Sequence, residues 1–444
     1  MADAAASLGD DKLRRESADR AAAKSDHLDA KLLVARARTT ECRALANLGD
    51  NEHASAACEE ARRIYADAGD RGGLARALHS SAEIPLNQGD YAGAEKLYRQ
   101  ALAILQQAGD KKSMGSELVN LGLIDVRRGD FATGRNLYAQ ALRSYQQAGD
   151  QNGIVVVTGN TGSLLRAEGR MPEALASYET TLKLSTELGH KGSEALSLQA
   201  IGEVLAEQGD LPDALEQFRQ AMSIQEEIGA RSNYASTLVS TGEAWRQQGE
   251  SKRALDAEQQ ALTIQQQLGE KGSAAETQLA LAELTYDSGR LKDAEASART
   301  VLAEFRTEKE PVQEIAAEGL LSRVLIDQSK ISEARESIGE ALRLWKETPE
   351  VIRGLSLRVD NSYLLAASKR TADAEGTARE AMAEALKLGL FRLYLEASLA
   401  LGRTELRSSR GESRARLQRL AKDARARGFV LIAQEASASL GDSM

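Results

Sequence analysis

Apolar residues recur at helical spacing along almost the whole chain, in blocks of about sixteen residues separated by short polar stops. In the block that follows Asp90 the apolar side chains fall at i, i+3, i+4, i+7, i+8 and i+11: Ala94, Leu97, Tyr98, Ala101, Leu102 and Leu105. Positions three and four apart share one face of an α-helix, so each block predicts one amphipathic helix. At about 1.5 Å per residue, each helix is roughly 25 Å long.

A glycine ends each block, and thirteen of these glycines lie twenty residues apart without an insertion: Gly49, Gly69, Gly89, Gly109, Gly129, Gly149, Gly169, Gly189, Gly209, Gly229, Gly249, Gly269 and Gly289. Glycine enters the left-handed conformation that commonly ends a helix. An acidic residue often follows and is expected to cap the next helix: Asp50, Asp70, Asp90, Asp110, Asp130, Asp150 and Asp210, with Glu250 and Glu270 as weaker caps.

Alternate helices differ, so the repeating unit is a hairpin of forty residues. One helix of each hairpin carries a small residue: Ala82, Gly122, Gly162, Gly202, Gly242, Ala282, Ser322, Ser362 and Gly402. The other carries alanine at matched heights, for example at Ala94 and Ala101, which allows the two backbones to approach closely. Beyond residue 305 the glycines lapse, and Pro311 and Pro349 are expected to start helices instead.

The segment "LVNLGLIDVRRGDFATGRNLYAQAL", residues 118–142, resembles the tetratricopeptide repeat in its long form of about forty residues, as in kinesin light chains. The family's small position corresponds to Gly122, its second-helix positions to Gly134 and Ala141, and its aromatic position to Tyr138. The resemblance implies an all-α superhelical solenoid of about ten hairpins, with the first helix of each lining a concave groove.

The register divides the chain into four predicted parts. Residues 1–30 are expected to hold a lone second helix, as in a truncated half repeat, and 31–310 regular repeats. Residues 311–430 are expected to form divergent repeats, and 431–444 a capping helix. The half repeat and the C-terminal "ARGFVLIAQEA" resemble repeat arrays in bacterial Ser/Thr kinases and transcription regulators.

Net charge and cysteine content limit the partners and the cellular compartment that we expect. The formal charge is −9 with a pI near 5.4, so the array as a whole is not expected to bind nucleic acid. We find neither a signal peptide nor an apolar run of transmembrane length, and we predict a cytoplasmic protein. Cys42 and Cys58 occupy packing positions of the first hairpin, where two buried thiols are favoured over a disulfide.

Catalytic and cofactor motifs are not evident in the sequence. The four histidines, His27, His53, His79 and His190, are scattered, and neither H-E-x-x-H nor a phosphate-binding G-x-x-x-x-G-K-[ST] occurs. We therefore predict a protein that is not an enzyme and that has no metal or cofactor.

The family resemblance places groove residues one, four and five positions after the small residue of each first helix, and three and six before it. These are Arg76, His79, Glu83, Ser116, Val119, Leu123, Ser163, Arg166, Gln199, Glu203, Glu243, Arg246, Glu283, Tyr286 and Arg323. Glu203, Glu243 and Glu283 would form an acidic row on consecutive hairpins, which either binds a basic or mixed-charge peptide or is only solvated. The Lys/Asn/Arg clamp by which chaperone-type repeats hold a C-terminal carboxylate is not matched.

A basic stretch near the C-terminus is a second candidate surface: Arg403, Arg407, Arg410, Arg414, Arg416, Arg419, Lys422, Arg425 and Arg427. It could bind an acidic partner, an anionic lipid surface, nucleic acid or the acidic groove of another copy, giving a homo-oligomer. It could equally be the polar outer face of a terminal repeat.

The sequence therefore favours a protein-protein interaction scaffold that binds a peptide or protein segment in its concave groove. The alternative is the sensor region of a larger bacterial kinase or transcription regulator, which could bind a small ligand. An aromatic content of 4% favours the scaffold, because a closed small-molecule pocket would be expected to carry more aromatic side chains.

Overall fold

The computed structural model describes Glu16, Arg20 and residues 31–308, 310–347, 350–406 and 410–441. The lone helix predicted at the N-terminus and Pro349 lie outside these residues, apart from Glu16 and Arg20. Within residues 31–441 as described, the regular structure is entirely helical, which confirms the all-α class. None of the described helices is both long and apolar enough to span a membrane.

The helices follow one another with two- to four-residue links. Their bounds are α1 Lys31–Asn47, α2 Asn51–Asp67, α3 Arg71–Asn87, α4 Tyr91–Ala108, α5 Lys111–Arg127, α6 Phe131–Ala148, α7 Gln151–Ala167, α8 Met171–Glu187, α9 Lys191–Gln208, α10 Leu211–Glu227, α11 Arg231–Gln247, α12 Ser251–Leu268, α13 Lys271–Asp287, α14 Leu291–Glu308, α15 Pro311–Asp327, α16 Ile331–Glu347, α17 Val351–Ala367, α18 Thr371–Leu388, α19 Phe391–Glu405, α20 Arg410–Ala426 and α21 Val430–Gly441.

The glycine stops are confirmed, because all thirteen glycines of the twenty-residue register have φ between 67° and 93°. An L side chain is strained in this left-handed region, so glycine is the residue that ends each helix at low cost. Five of the predicted caps are also present, with each carboxylate accepting the N–H of the residue three positions on: Asp50, Asp70, Asp90, Asp110 and Asp130.

Capping was wrongly predicted at three positions. Asp210, Glu250 and Glu270 make no side-chain cap hydrogen bond. Pro212 removes one of the two backbone donors that a cap at Asp210 could use. The extra methylene of glutamate carries the carboxylate away from the first-turn N–H groups at the other two positions.

Two residues other than glycine hold the left-handed position where the glycine register lapses. Ser329 has φ 63° and Lys369 has φ 62°, and both stand at multiples of twenty residues from Gly289. The helix stop therefore persists in the divergent repeats, but with a strained backbone at these two positions.

Replacing Ser329 or Lys369 by glycine should raise the free energy of unfolding by about 0.5–1 kcal/mol each. Glycine relieves the strain at positive φ, and this gain exceeds the entropy that glycine adds to the unfolded chain. Urea denaturation of each variant measures the change. Ser329→Ala is the control, because alanine carries the same strain as serine and should bring no gain; a gain with alanine would refute the explanation.

The chain forms two compact units that divide between Asn160 and Thr161, inside α7. Unit 1 contains the hairpins α1/α2, α3/α4 and α5/α6 and the start of α7. An aromatic ring packs on a glycine where the helices of a hairpin meet: a Cβ added at Gly122 would lie 2.6 Å from Cε1 of Tyr138. The small residue and the aromatic residue of the repeat are therefore two halves of one packing contact.

The prediction of two buried thiols in the first hairpin was wrong. Cys42 on α1 and Cys58 on α2 form a disulfide, with their Cα atoms 5.3 Å apart. The small position of one helix faces the aromatic position of the other, as at Gly122 and Tyr138, so two cysteines at these positions come within bonding distance.

Unit 2 runs from Thr161 through α21, and its last helices pack against its first ones. Leu390 and Leu393 share a core with Met171 and Ile201, and Arg392 on α19 is 3.0 Å from Glu207 on α9. The predicted groove side of α9 and α11 is therefore covered by α17, α19 and α21 of the same unit.

Candidate functional site

A cavity in unit 1 lies against the first helices of its three hairpins, α1, α3 and α5. Its volume is about 620 Å³. Three of the residues predicted for the groove line it, namely Arg76, His79 and Ser116. Arg76 and Ser116 line the same cavity because they occupy equivalent positions on the first helices of consecutive repeats, forty residues apart.

Arginines without carboxylate partners distinguish this cavity. Arg76 lies over the ring of Tyr65, 5.9 Å from its centroid, and Nε of Arg43 is buried without a hydrogen bond. Among the described residues, neither arginine has a carboxylate within ion-pair distance. The carboxylates of the lining are engaged: Asp110 caps α5 through Ser113, and Glu117 bonds to His79. The free charge in the cavity is therefore positive.

His79 links two acidic residues at the edge of this cavity. Its Nδ1 is 2.9 Å from Oε1 of Glu117, and its Nε2 is 3.6 Å from Oε1 of Glu83. Burial lowers the pKa of His79, but the hydrogen bond and charge of Glu117 and the charge of Glu83 outweigh it and raise the pKa above its usual value. This raised pKa favours the imidazolium form, which compensates the charge of Glu117.

The other groove residues predicted for unit 1 do not line the cavity. Val119 is buried on α5, and Leu123 is half-buried on the same helix. Two lining residues, Arg36 and Arg43, were missed because the first repeat departs from the glycine pattern. They lie forty residues before Arg76 and Glu83, so the register alone would have found them.

Arginines accompany the acidic row in unit 2. Glu203 is 2.6 Å from Arg166, Glu243 is 2.7 Å from Arg246, and Glu283 is 3.1 Å from Arg323. These three ion pairs remove most of the free negative charge that the sequence suggested. The remaining predicted residues are also engaged by neighbours: Ser163 by Tyr178, Gln199 by Glu203, and Tyr286 by Asp327.

Arg246 is the centre of the charge cluster in unit 2. Its guanidinium group lies 2.7 Å from Asp287 and 3.2 Å from Glu283, in addition to Glu243. Burial raises the pKa of Glu243, but the charge and hydrogen bonds of Arg246 outweigh it and hold that pKa below its usual value. For Asp287 burial prevails and raises the pKa. One cation therefore compensates several carboxylates unequally.

The structure divides the predicted basic patch. Arg403 lines an interior cavity beside Glu435, 3.1 Å away, and Arg416 pairs with Glu405 at 2.9 Å. Arg407 and the side chain of Arg410 are outside the described residues, and Arg414 is half-buried. The basic residues exposed on or just after α20 are Arg419, Lys422, Arg425 and Arg427.

Consecutive hairpins of forty residues are typical of a helical repeat protein. In this chain a small residue on the first helix packs against a larger residue on the second, as Gly122 does against Tyr138. Two family models, both described as tetratricopeptide repeat, match the chain. One matches residues 116–187, 154–227 and 193–267, and the other matches residues 77–112. The repeats between residues 77 and 267 are therefore of the tetratricopeptide type.

Solved structures of the same fold are distant in sequence. Aspartyl phosphate phosphatase F from Bacillus subtilis has a TM-score of 0.54 at 13% identity, covering 72% of this chain and 83% of its own. The apo quorum sensor NprR from B. thuringiensis has 0.53 at 12%, covering 76% and 99%. The apo form of RapI has 0.51 at 15%, covering 61% and 97%. No curated protein matches the sequence significantly.

Proposed function

We propose that the cavity along α1, α3 and α5 binds a peptide or protein segment of mixed charge, with an acidic side chain against Arg43 and Arg76. The observation that carries this proposal is the pair of arginines without carboxylate partners in a cavity of about 620 Å³. A buried Nε without an acceptor costs free energy that a ligand carboxylate would recover.

The polar lining also suits an extended ligand. Hydroxyl groups of Thr39, Ser80 and Ser113 line the cavity together with the charged residues. They can bond to the main chain of a bound segment, while the arginines select its charged side chain. The tetratricopeptide-type repeats support an interaction role for the protein, and one structure of the same fold is named a quorum sensor.

A selection experiment tests this site. Peptides selected from a random display library on the full chain should be enriched in Asp or Glu at one position. A selected peptide labelled with a fluorophore should bind the Arg43→Gln/Arg76→Glu variant at least tenfold more weakly in fluorescence anisotropy, because both partners of its carboxylate are lost.

Arg63→Glu is the matched control, since Arg63 is exposed on α2 and does not line the cavity. It makes the same charge change as Arg76→Glu and should leave the affinity unchanged. Equal affinity of the wild type and the double variant would contradict the proposal. So would a loss of the same size in the control.

We also propose that the protein acts in bacterial signalling. The support is the resemblance of its repeats to those of bacterial regulators and the names of the two Bacillus proteins of the same fold. A cytoplasmic location stays a prediction, and the Cys42–Cys58 disulfide is a feature that reducing compartments disfavour.

A further inference from the structure

Two adjoining cavities inside unit 2 are lined by more carboxyl groups than guanidinium groups. Their volumes are about 260 and 120 Å³, and both are bordered by Arg246, Arg323, Asp360 and Glu396. Together the linings contain eight carboxyl groups and five arginines. An uncompensated negative charge in a partly dehydrated interior is costly unless a proton or another cation neutralises it.

The arginines of this interior are already occupied. Arg246 contacts three carboxylates, Arg392 lies 3.0 Å from Glu207 and 2.8 Å from Glu396, and Arg403 pairs with Glu435. An anionic ligand would have to displace these carboxylates while remaining next to them. The interior therefore disfavours an anion and favours a cation.

Two acceptors on the cavity walls make no hydrogen bond with the described residues. Asp360 on α17 is 8% exposed, and its nearest cation, Nε of Arg323, is 3.6 Å away. Its carboxylate accepts no hydrogen bond from the residues that the structure describes. Gln247 on α11 is 3% exposed; its Nε2 donates to Glu243, but its Oε1 has no donor. Both side chains line the cavities, so a ligand with N–H donors could satisfy them.

We propose that these cavities form a binding site for a small organic cation that carries ammonium or guanidinium groups. One cationic group would lie between Asp360 and Glu396, and its N–H donors would also reach Gln247. The combined volume is near the lower end of the roughly 300–1,000 Å³ typical of small-molecule sites, which suits a short diamine or its guanidino analogue. The proposal concerns unit 2 and is independent of the peptide site proposed in unit 1.

A hard metal ion fits this interior less well. Such an ion needs several oxygen ligands around one point. Across the described residues, no three acidic, histidine or cysteine side chains are gathered in that way. The carboxylates are instead distributed along two cavities, each near an arginine, as suits a ligand with two separated charges.

The protonation of Asp360 gives the proposal a pH dependence. Burial raises the pKa of Asp360 to about 7, the charges of Glu396 and Glu283 act in the same direction, and Arg323 only partly opposes them. The other charged groups that line the two cavities are Glu207, Glu243, Asp287, Asp327, Glu435, Arg246, Arg353, Arg392 and Arg403. An alkyl ammonium ion stays charged well above pH 8, so the ionised carboxylate and the ligand coexist above pH 7. Binding should therefore strengthen as the pH rises from 6 to 8.

Calorimetric titration of the full chain with putrescine, agmatine and spermidine tests this inference. At least one of them should show saturable binding of one molecule per chain, at least fivefold tighter at pH 8 than at pH 6. Asp360→Asn should lose at least tenfold in affinity while keeping a thermal midpoint no lower than that of the wild type at pH 8, because asparagine has the shape of the carboxyl group without its charge. Glu380→Gln, an exposed control on α18, should bind as the wild type does.

Several results would overturn the proposal. One is the absence of saturable binding for all three amines. Another is unchanged affinity in Asp360→Asn. A third is an equal response to sodium or magnesium chloride at matched ionic strength, which would show a general cation effect. The last is binding only of lysine- or arginine-containing peptides and of no free amine, which would assign the interior to a macromolecular partner.

Discussion

Replacing Arg246 by glutamine is expected to lower the free energy of unfolding by about 3 kcal/mol at pH 8. The side chain of Arg246 is 11% exposed and compensates Glu243, Glu283 and Asp287. Glutamine would leave carboxylates in a partly buried site without their shared cation. Protonation relieves this repulsion, so the deficit relative to the wild type should shrink as the pH falls from 8 to 5. Urea denaturation across this range measures both the deficit and its pH dependence.

Arg219→Gln is the matched control for this experiment. Arg219 pairs with Glu216 at the same i, i+3 spacing, but both side chains are exposed. Its replacement should cause no measurable change in stability, since exposed pairs are screened by water and salt. Equal effects of the two substitutions would show that the interior cluster does not stabilise unit 2.

Replacing Glu258 by glutamine should have the opposite effect and stabilise the protein by on the order of 3 kcal/mol at pH 8. Glu258 occupies the position that Tyr98, Tyr138 and Tyr178 hold in other repeats, and it is 1% exposed. Burial raises its pKa from 4.5 to about 9, and the nearby charge of Glu243 acts in the same direction. Its Oε2 has no hydrogen-bond partner in the described part of the chain.

The sign of the pH dependence follows from this raised pKa. Between about pH 4.5 and 9 the folded protein keeps the proton on Glu258, whereas the unfolded chain releases it. The wild type therefore loses stability as the pH rises through this window, and the glutamine variant lacks that loss. The gain should be small at pH 5 and large at pH 8. Glu179 is exposed on α8, and the control variant Glu179→Gln should show no gain in stability at either pH. A Glu258→Gln variant that is less stable than the wild type at every pH would contradict this explanation.

The helical periodicity and the regular glycine stops were sufficient to predict most of the helical architecture. Gly122 was assigned to a packing position from the forty-residue spacing and Tyr138 from the family resemblance, and their contact shows why the two types of residue recur together. The twenty-residue stop even persists at Ser329 and Lys369, where glycine is missing. Such features depend on neighbours within one hairpin, which a sequence displays directly.

The closure of unit 2 could not be predicted in the same way. Contacts such as Glu207 with Arg392 join residues 185 positions apart, and they depend on small rotations accumulated from hairpin to hairpin. The groove positions still identified Arg246, Glu283 and Arg323. Asp360 was missed because it lies two residues before a small position and faces the interior only when the last helices cover the first.

The most direct test of the proposed function is to locate a bound peptide. A peptide selected on the full chain and carrying a photoreactive group next to its acidic residue should, after irradiation and proteolysis, be found attached to α1, α3 or α5. The Arg43→Gln/Arg76→Glu variant should give little adduct under the same conditions. Attachment only to unit 2, or only to α6, would contradict the assignment of this cavity as the peptide site.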